Sequence, residues 1–281
     1  MPARLLDGKA LAQTIRARLR EEAAALPSPP VLACLWAGDD PGAAAYRRGL
    51  SKACADTGVR FLERPLPGKV GEAQLLEALA ALNDAPEVAG ILVQTPLPAG
   101  VDASRVLAAV DPRKDAEGLS PTSLGLALKG DAAHAPCTAR AAFELVRASG
   151  IALSGAEAVV VGASDTVGKP AALLLSQARA TVTLCRSATR DLAAHVGRAE
   201  VLVLAVGRPG LVTGAMLRPG AVVVDVGINT VEGRIVGDAD FASASEAAGW
   251  ITPVPGGVGP VTVAMLLDRV VASARSALAR A

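Results

Sequence analysis

The ten residues 251–260, ITPVPGGVGP, hold three prolines and three glycines just ahead of the apolar run VTVAMLLDRVV. Neither a helix nor an ordinary strand accommodates that composition. Proline holds φ near one value, and glycine lets the backbone come close to a ligand. A rigid, side-chain-poor loop that opens a helix suits two roles. It can bind a phosphate or carbonyl through backbone N–H groups, or it can tightly connect a strand to the last helix. A second such segment is VVVGASDTVGKP, where Gly162, Ser164 and Gly168 fall between an apolar strand and an apolar helix. This is a weakened dinucleotide-binding fingerprint, with Ser164 at the middle glycine. A helix N-terminus there attracts phosphate through free N–H groups and the helix dipole, and Ser164 offers a hydroxyl.

The strand that follows ends in CRSAT. An acid at such a tip holds a ribose 2′-hydroxyl, whereas an arginine accommodates a 2′-phosphate. Arg186 and Ser187 therefore point to NADP ahead of NAD, unless Arg186 is only a solvated loop residue. Two further segments, AVGRPG (205–210) and DVGIN (225–229, with Ile228), end apolar strands and are candidates to border the nicotinamide and its ribose.

Apolar runs alternate with helical patterns along the whole chain, which signals an α/β fold with parallel strands. Helices are expected at 7–26, 43–57, 71–83, 138–149 and 261–280, and strands at 31–38, 59–64, 88–94, 201–206 and 221–227. QTPLP (94–98) breaks the chain at a strand's C-terminal end, the edge where ligands of open α/β sheets gather. The expected architecture has two domains. Residues 1–137 with 262–281 form an α/β catalytic domain onto which the last helix packs back, and 138–261 form a nucleotide-binding domain.

The bulk numbers bound the function. A length of 281 residues with 51% hydrophobic content provides ample core, and the net charge of +1 gives no electrostatic case for nucleic acid or a membrane surface. No run of about 18 apolar residues reads as membrane-spanning. The N-terminal stretch lacks the apolar core of a secretory signal. Cys34, Cys54, Cys137 and Cys185 match no zinc or CxxC spacing, and neither do His134 and His195, so no metal is expected. Cys34 and Cys185 read as small core hydrophobes in a reducing, cytoplasmic setting.

Taken in order, GILVQTPLP, PRKDAEG, PCT, VVVGASDTVGKP, DVGIN and ITPVPGGVGP resemble the bifunctional methylenetetrahydrofolate dehydrogenase/methenyltetrahydrofolate cyclohydrolase family, over nearly the whole chain. The resemblance implies two α/β domains with a cleft between them, the second a Rossmann-type domain, assembled as homodimers. It implies oxidation of 5,10-methylenetetrahydrofolate by hydride transfer to NADP or NAD, then hydrolysis of the methenyl product to 10-formyltetrahydrofolate. By the same resemblance, Tyr46 packs against the folate ring, Gln94 is a polar active-site group, and Asp115 matches the first aspartate of a KDVDG pattern. Glu117 takes the pterin-holding position, and Pro255, Gly256 and Gly257 lie near folate and nicotinamide.

Three departures from the family pattern stand out. The catalytic lysine four residues after the tyrosine is Leu50, and Lys52, two positions on, points about 200° away on a helix. The pterin-holding aspartate is Glu117, displaced by one methylene. The arginine of the nucleotide turn is Ala163, while Arg186 replaces a histidine at the neighbouring strand tip. Hydride loss from a carbon flanked by two nitrogens mainly needs orientation, whereas hydrolysis needs an activated water and proton transfers. The expected enzyme is therefore a dehydrogenase with weak or absent cyclohydrolase activity. The alternatives are a one-carbon folate enzyme retuned through Leu50, Glu117 and Ser120–Ser123, and a catalytically inactive folate- or nucleotide-binding paralogue.

Overall fold

The computed structural model describes residues 2–38 and 40–280. Strand β1 (Arg4–Leu5) leads into α1 (Gly8–Ala24). Then β2 (Val31–Ala37), α2 (Pro41–Thr57), β3 (Arg60–Leu66), α3 (Glu72–Asp84) and β4 (Val88–Val93) alternate, followed by short helices α4 (Ala103–Ala108) and α5 (Pro121–Leu128). The chain continues through α6 (Cys137–Ala148), β5 (Glu157–Val161), α7 (Gly168–Gln177), β6 (Thr181–Cys185), α8 (Leu192–Val196), β7 (Val201–Leu204) and β8 (Val222–Asp225). A hairpin of β9 (Asn229–Val231) and β10 (Arg234–Val236) precedes α9 (Phe241–Ala247), β11 (Trp250–Ile251) and α10 (Val258–Leu278).

Two compact units result. One holds Gln13–Lys129 and the chain from Val263 onward; the other holds the chain up to Ala12 and Gly130–Thr262. Apart from Thr262, which falls with the nucleotide-binding unit, the expected border differs from this partition at two places. Residues up to Ala12 join the nucleotide-binding unit because β1 adds to its sheet, Arg4 and Leu5 pairing with Trp250 and Ile251. The border after Lys129 precedes the PCT segment because α6 packs on α7 and β8 of the same unit.

The unit containing Gln13–Lys129 has a three-stranded parallel sheet in the order β3-β2-β4. β2 is central and buried along nearly its whole length, as its unbroken apolar sequence requires. Ile91 of β4 bridges in parallel to Asp115, which brings the KDAEG segment alongside the sheet. Helix α10 packs back on this sheet: a Cβ at Gly90 would lie 2.7 Å from Val270 Cγ2. An aliphatic core of Val31, Leu35, Leu75, Leu79, Ile91 and Val106 underlies it. The turn after β2 is capped by Asp40, whose carboxylate accepts from the Ala43 amide at 2.6 Å, with Pro41 starting the helix. Gly58 closes α2 in the left-handed region, at φ 74°.

The other unit is built on a six-stranded parallel sheet in the order β1-β11-β8-β7-β5-β6. Its strands β5, β7 and β8 are continuous valine- and leucine-rich runs, buried on both faces. Among the described residues, no helix is long and apolar enough to cross a membrane.

Candidate active site

Strand order sets where each site lies. In the three-stranded sheet the chain leaves β2 for β3 on one side and returns to β4 on the other, so the order reverses between β2 and β4. Ligands of such sheets bind outside the carboxyl ends of the strands at that reversal. Trp36 is the penultimate residue of β2, Gln94 directly follows β4, and α2 starts beside them. Gln94 is buried, and its amide nitrogen extends the ladder by donating to the Leu35 carbonyl at 2.8 Å. Its side-chain Nε2 donates to the Ala43 carbonyl at 2.9 Å, and its Oε1 accepts from Arg47 Nη1 at 2.9 Å. The Arg47 guanidinium also stacks over the Trp36 ring, 4.2 Å from its centroid. Tyr46, next to Arg47 on α2, is 37% exposed. Leu50, one turn further on, is only 1% exposed and belongs to the core.

Asp115 and Glu117 are only two residues apart and differ in every physical respect. Asp115 Oδ1 accepts from the amides of Gly118 and Leu119, and Oδ2 accepts from Ser120. Arg269 of α10 donates to the Asp115 main-chain carbonyl at 3.1 Å. Burial pushes the Asp115 pKa up, but the Ser123 hydroxyl, the Ser120 amide and hydroxyl, and Arg269 together hold it below the ordinary carboxylate value. Asp115 is thus an organiser of the 115–120 loop, with both carboxylate oxygens engaged by main chain. Glu117 rides on that loop, half-buried. Desolvation first, and the charge of Asp115 second, push it up to about 7. Ser120 and Ser123 are both buried; Ser120 Oγ caps α5 by accepting from the Ser123 amide. These two hydroxyls are engaged within the fold, while Pro121 and Thr122 between them are exposed.

The nucleotide-binding unit repeats the rule of the reversed order at β5 and β7. Gly162 follows β5 at φ 116°, and a Cβ there would lie 2.1 Å from the Ala205 carbonyl oxygen. A Cβ at Gly168 would lie 1.8 Å from the Gly162 carbonyl oxygen. Both positions therefore require glycine, and the turn is drawn tight against the next strand's loop. Ser164 Oγ accepts from the Val167 and Gly168 amides at 3.2 and 3.3 Å, fixing the start of α7. Arg186 and Ser187 are exposed at the β6 tip, where the Arg186 amide donates to Thr189 Oγ1. Ile228 is 72% exposed after β8.

Two buried acids that sequence reasoning did not single out hold these loops. Asp238 accepts from the amides of Val206, Gly207 and Arg208, and from Asn229 Nδ2. Asp225 accepts from the amides of Gly227, Asp238 and Ala239. Burial, reinforced by Asp238, pushes Asp225 up to about 6 against the pull of those amides. Asp225 is visible in DVGIN, but nothing local marks Asp238 as its neighbour. Arg47 and Trp36 were missed for the same reason.

The loop 251–260 lies against the first turn of α1. A Cβ on Gly8 would fall 1.7 Å from the Gly257 carbonyl oxygen. Gly256 takes φ 110°, and the Val254–Pro255 peptide is cis, as is Thr95–Pro96. The loop does open a helix, since α10 starts at Val258. All four cysteines are free and buried; burial pushes Cys34 and Cys54 up to about 12, as expected of core fillers. Among the described residues, no group of three or more His, Cys, Asp or Glu could hold a metal ion.

A glycine-built turn at the order reversal of a parallel sheet, an α-helix starting at that turn and an arginine at the next strand tip define a Rossmann-type NAD(P)-binding unit. With the α/β unit and its polar cluster, this is a two-unit nucleotide-dependent oxidoreductase. Residues 6–117 match the catalytic domain of tetrahydrofolate dehydrogenase/cyclohydrolase, and residues 136–278 match its NAD(P)-binding domain. The chain belongs to the tetrahydrofolate dehydrogenase/cyclohydrolase family. It is 48% identical to the bifunctional protein FolD of Bordetella bronchiseptica, over 99% of this chain and 100% of that one. The crystal structure of FolD from Campylobacter jejuni superposes with a TM-score of 0.95 at 39% identity, covering 98% of this chain and 99% of that one. Trypanosoma brucei methylenetetrahydrofolate dehydrogenase-cyclohydrolase, solved with NADP and an inhibitor, gives 0.93 at 38% identity, covering 99% of each chain.

Proposed function

We propose that this chain is an NADP-dependent 5,10-methylenetetrahydrofolate dehydrogenase whose cyclohydrolase step is weak or absent. The observation that carries the reading is position 50: a leucine, 1% exposed, where the family resemblance expects a lysine. The cation that reaches Gln94 is instead the Arg47 guanidinium. A guanidinium stays protonated at any working pH, so it cannot take a proton from water.

The nucleotide-binding unit fits its ligand on its own geometry. The Gly162–Gly168 turn is drawn tight at the start of α7, where a Cβ at either glycine would meet main chain, and this supports a diphosphate on the helix N-terminus; Arg186 and Ser187 are exposed at the β6 tip, where a 2′-phosphate would lie. When bound, the nucleotide supplies the hydride acceptor. The remaining work falls to this chain's residues. Asp238 and Asp225 hold the loops after β7 and β8 rigid by their main-chain amides. Tyr46 packs on the pterin, and Glu117, when ionised, accepts from its pyrimidine-like edge. Hydride departure leaves a cation stabilised by the two flanking nitrogens, so orientation suffices and no strong base is required. Hydrolysis of that cation requires a base to ready water, and position 50 supplies none.

The test is to follow both steps on purified protein. Oxidation of methylenetetrahydrofolate with NADP faster than with NAD, with slow loss of the methenyl product, is the expected result. Rapid methenyl hydrolysis removes the cyclohydrolase part; no oxidation with either nucleotide removes the whole, and leaves a binding-only protein that calorimetry with NADP and tetrahydrofolate identifies. A cytoplasmic homodimer is the accompanying expectation, and sedimentation of the purified chain reads its oligomeric state.

A further inference from the structure

Arg47 lies between Tyr46 and Leu50, at a position to which the family resemblance assigns no role, yet it is firmly anchored beside Gln94. Its guanidinium has two independent holds. Trp36 stacks on its face at 4.2 Å, and Nη1 donates to Gln94 Oε1 at 2.9 Å. Both partners come from strand ends of the buried sheet, so the guanidinium is fixed by the fold and not by a loop. The pairing also settles which way the Gln94 amide faces. Arginine has five N–H donors and no acceptor; a main-chain carbonyl has no donor. Rotating the amide by half a turn would set its NH2 against the guanidinium and its oxygen against the Ala43 carbonyl, losing both bonds. Only one orientation is chemically consistent. It leaves one N–H and one oxygen lone pair of Gln94 for other partners, in fixed places.

We propose that Arg47 is the positioning residue of this site: stacked on Trp36, it locks the Gln94 amide in one orientation and keeps a permanent positive charge beside it. This rests on reading Gln94 as an active-site group for methylene oxidation. Arg47 acts through Gln94. Its removal therefore lowers the rate of the oriented step more than it weakens binding, and has no further effect once Gln94 is gone.

The experiment is a double-mutant cycle read on the oxidation step alone. Arg47→Met keeps an unbranched stem over Trp36 and removes the charge; Arg47→Lys keeps the charge and loses the planar fork. Arg47→Met is expected to lower kcat about tenfold with KM changed by less than about threefold, as loss of one charge-assisted hydrogen bond implies. Arg47→Lys recovers part of that loss. In a Gln94→Ala background, adding Arg47→Met costs nothing more. A second reading needs no turnover: the Gln94 side-chain amide gives one sharp 15N–1H pair in the wild type, which broadens or doubles in Arg47→Met. Equal losses in the two backgrounds overturn the proposal, as does an Arg47→Met protein with unchanged kcat, or one whose only change is a raised KM. The methenyl hydrolysis rate does not enter the cycle, so the cyclohydrolase reading stands or falls separately. If the wild type oxidises nothing, the amide signals alone decide the role of Arg47.

Discussion

At the order reversal of the six-stranded sheet the candidate site is built from main chain, while at that of the three-stranded sheet it is built from side chains. Around Gly162 and Gly168 the carboxylates that do the structural work, Asp225 and Asp238, are buried beneath the loops and hold them by seven hydrogen bonds, six of them to main-chain amides. Departures from the family pattern there, at Ala163 and Arg186, fall at exposed or partly exposed positions of the turn and strand tip. Around Gln94 the chemistry rests on individual groups projected from α2 and from the 115–120 loop. A change there would replace a functional group outright: Leu50 is buried where the family resemblance expects an amine, and a guanidinium from the preceding turn reaches Gln94. On the proposed function, a backbone-built site tolerates rim substitution and retunes selectivity, whereas a side-chain-built site changes reaction.

The sharpest way to break this contrast is to add one atom to the backbone-built site. Gly168→Ala sets a methyl 1.8 Å from the Gly162 carbonyl oxygen. It should cost about 1–3 kcal/mol of stability by overpacking and weaken NADP binding by more than about a hundredfold, read by thermal melting and calorimetry. Next is Leu50→Lys. Position 50 is closed to solvent and lies one turn from a guanidinium, so a lone ammonium there meets both burial and like charge. The single variant should lose on the order of 3 kcal/mol and gain no methenyl hydrolysis. Leu50→Lys combined with Arg47→Met should regain hydrolysis about tenfold above the wild type. Equal hydrolysis by the single and double variants would show that Arg47 does not occupy the place of the missing amine.

A smaller effect is expected at the rim. Arg186→Ser should raise the NADP dissociation constant about tenfold and leave NAD unchanged, with no shift in melting temperature. A pH-dependent effect concerns Glu117, raised from 4.5 to about 7 by burial and by Asp115. Between those values the folded chain keeps a proton that the unfolded chain has released. Wild-type stability relative to Glu117→Gln should therefore fall as pH rises through that window, by on the order of 2 kcal/mol. Tetrahydrofolate affinity runs the other way. It should increase toward pH 7 as the carboxylate ionises to accept from the pterin, and stay flat in Glu117→Gln.

Much of this was legible in the linear pattern. Continuous apolar runs gave β2, β4, β5, β7 and β8, helical periods gave the helices between them, and Gly58 ended α2 where a left-handed residue was needed. The glycine turn at 162–168 and the proline–glycine loop at 251–260 could be read because strained or crowded backbone admits few residue types. The role of Asp115 could not be read. An aspartate two residues from Glu117 looks like half of a catalytic pair, and only the turn of the 118–120 amides toward it shows that its oxygens are already engaged. The first strand was equally hidden: two exposed residues carry no alternation, and their place in the six-stranded sheet comes from pairing with β11, about 250 residues on.

By itself the sequence carried the two α/β units, the nucleotide turn and the NAD(P) reading, and it places Leu50 where the family resemblance expects a lysine. Each depends on local composition or on spacing within one element, where residue type and backbone conformation are directly linked. Only the tertiary structure decided that Arg47 reaches Gln94 across the top of Trp36, that Asp115 is occupied while Glu117 is left to titrate, and that Asp238 grips the loop after β7. Those facts join side chains from different strands and helices. A chain pattern records which residues face one side of an element, but not which distant side chain the completed sheet will bring opposite them.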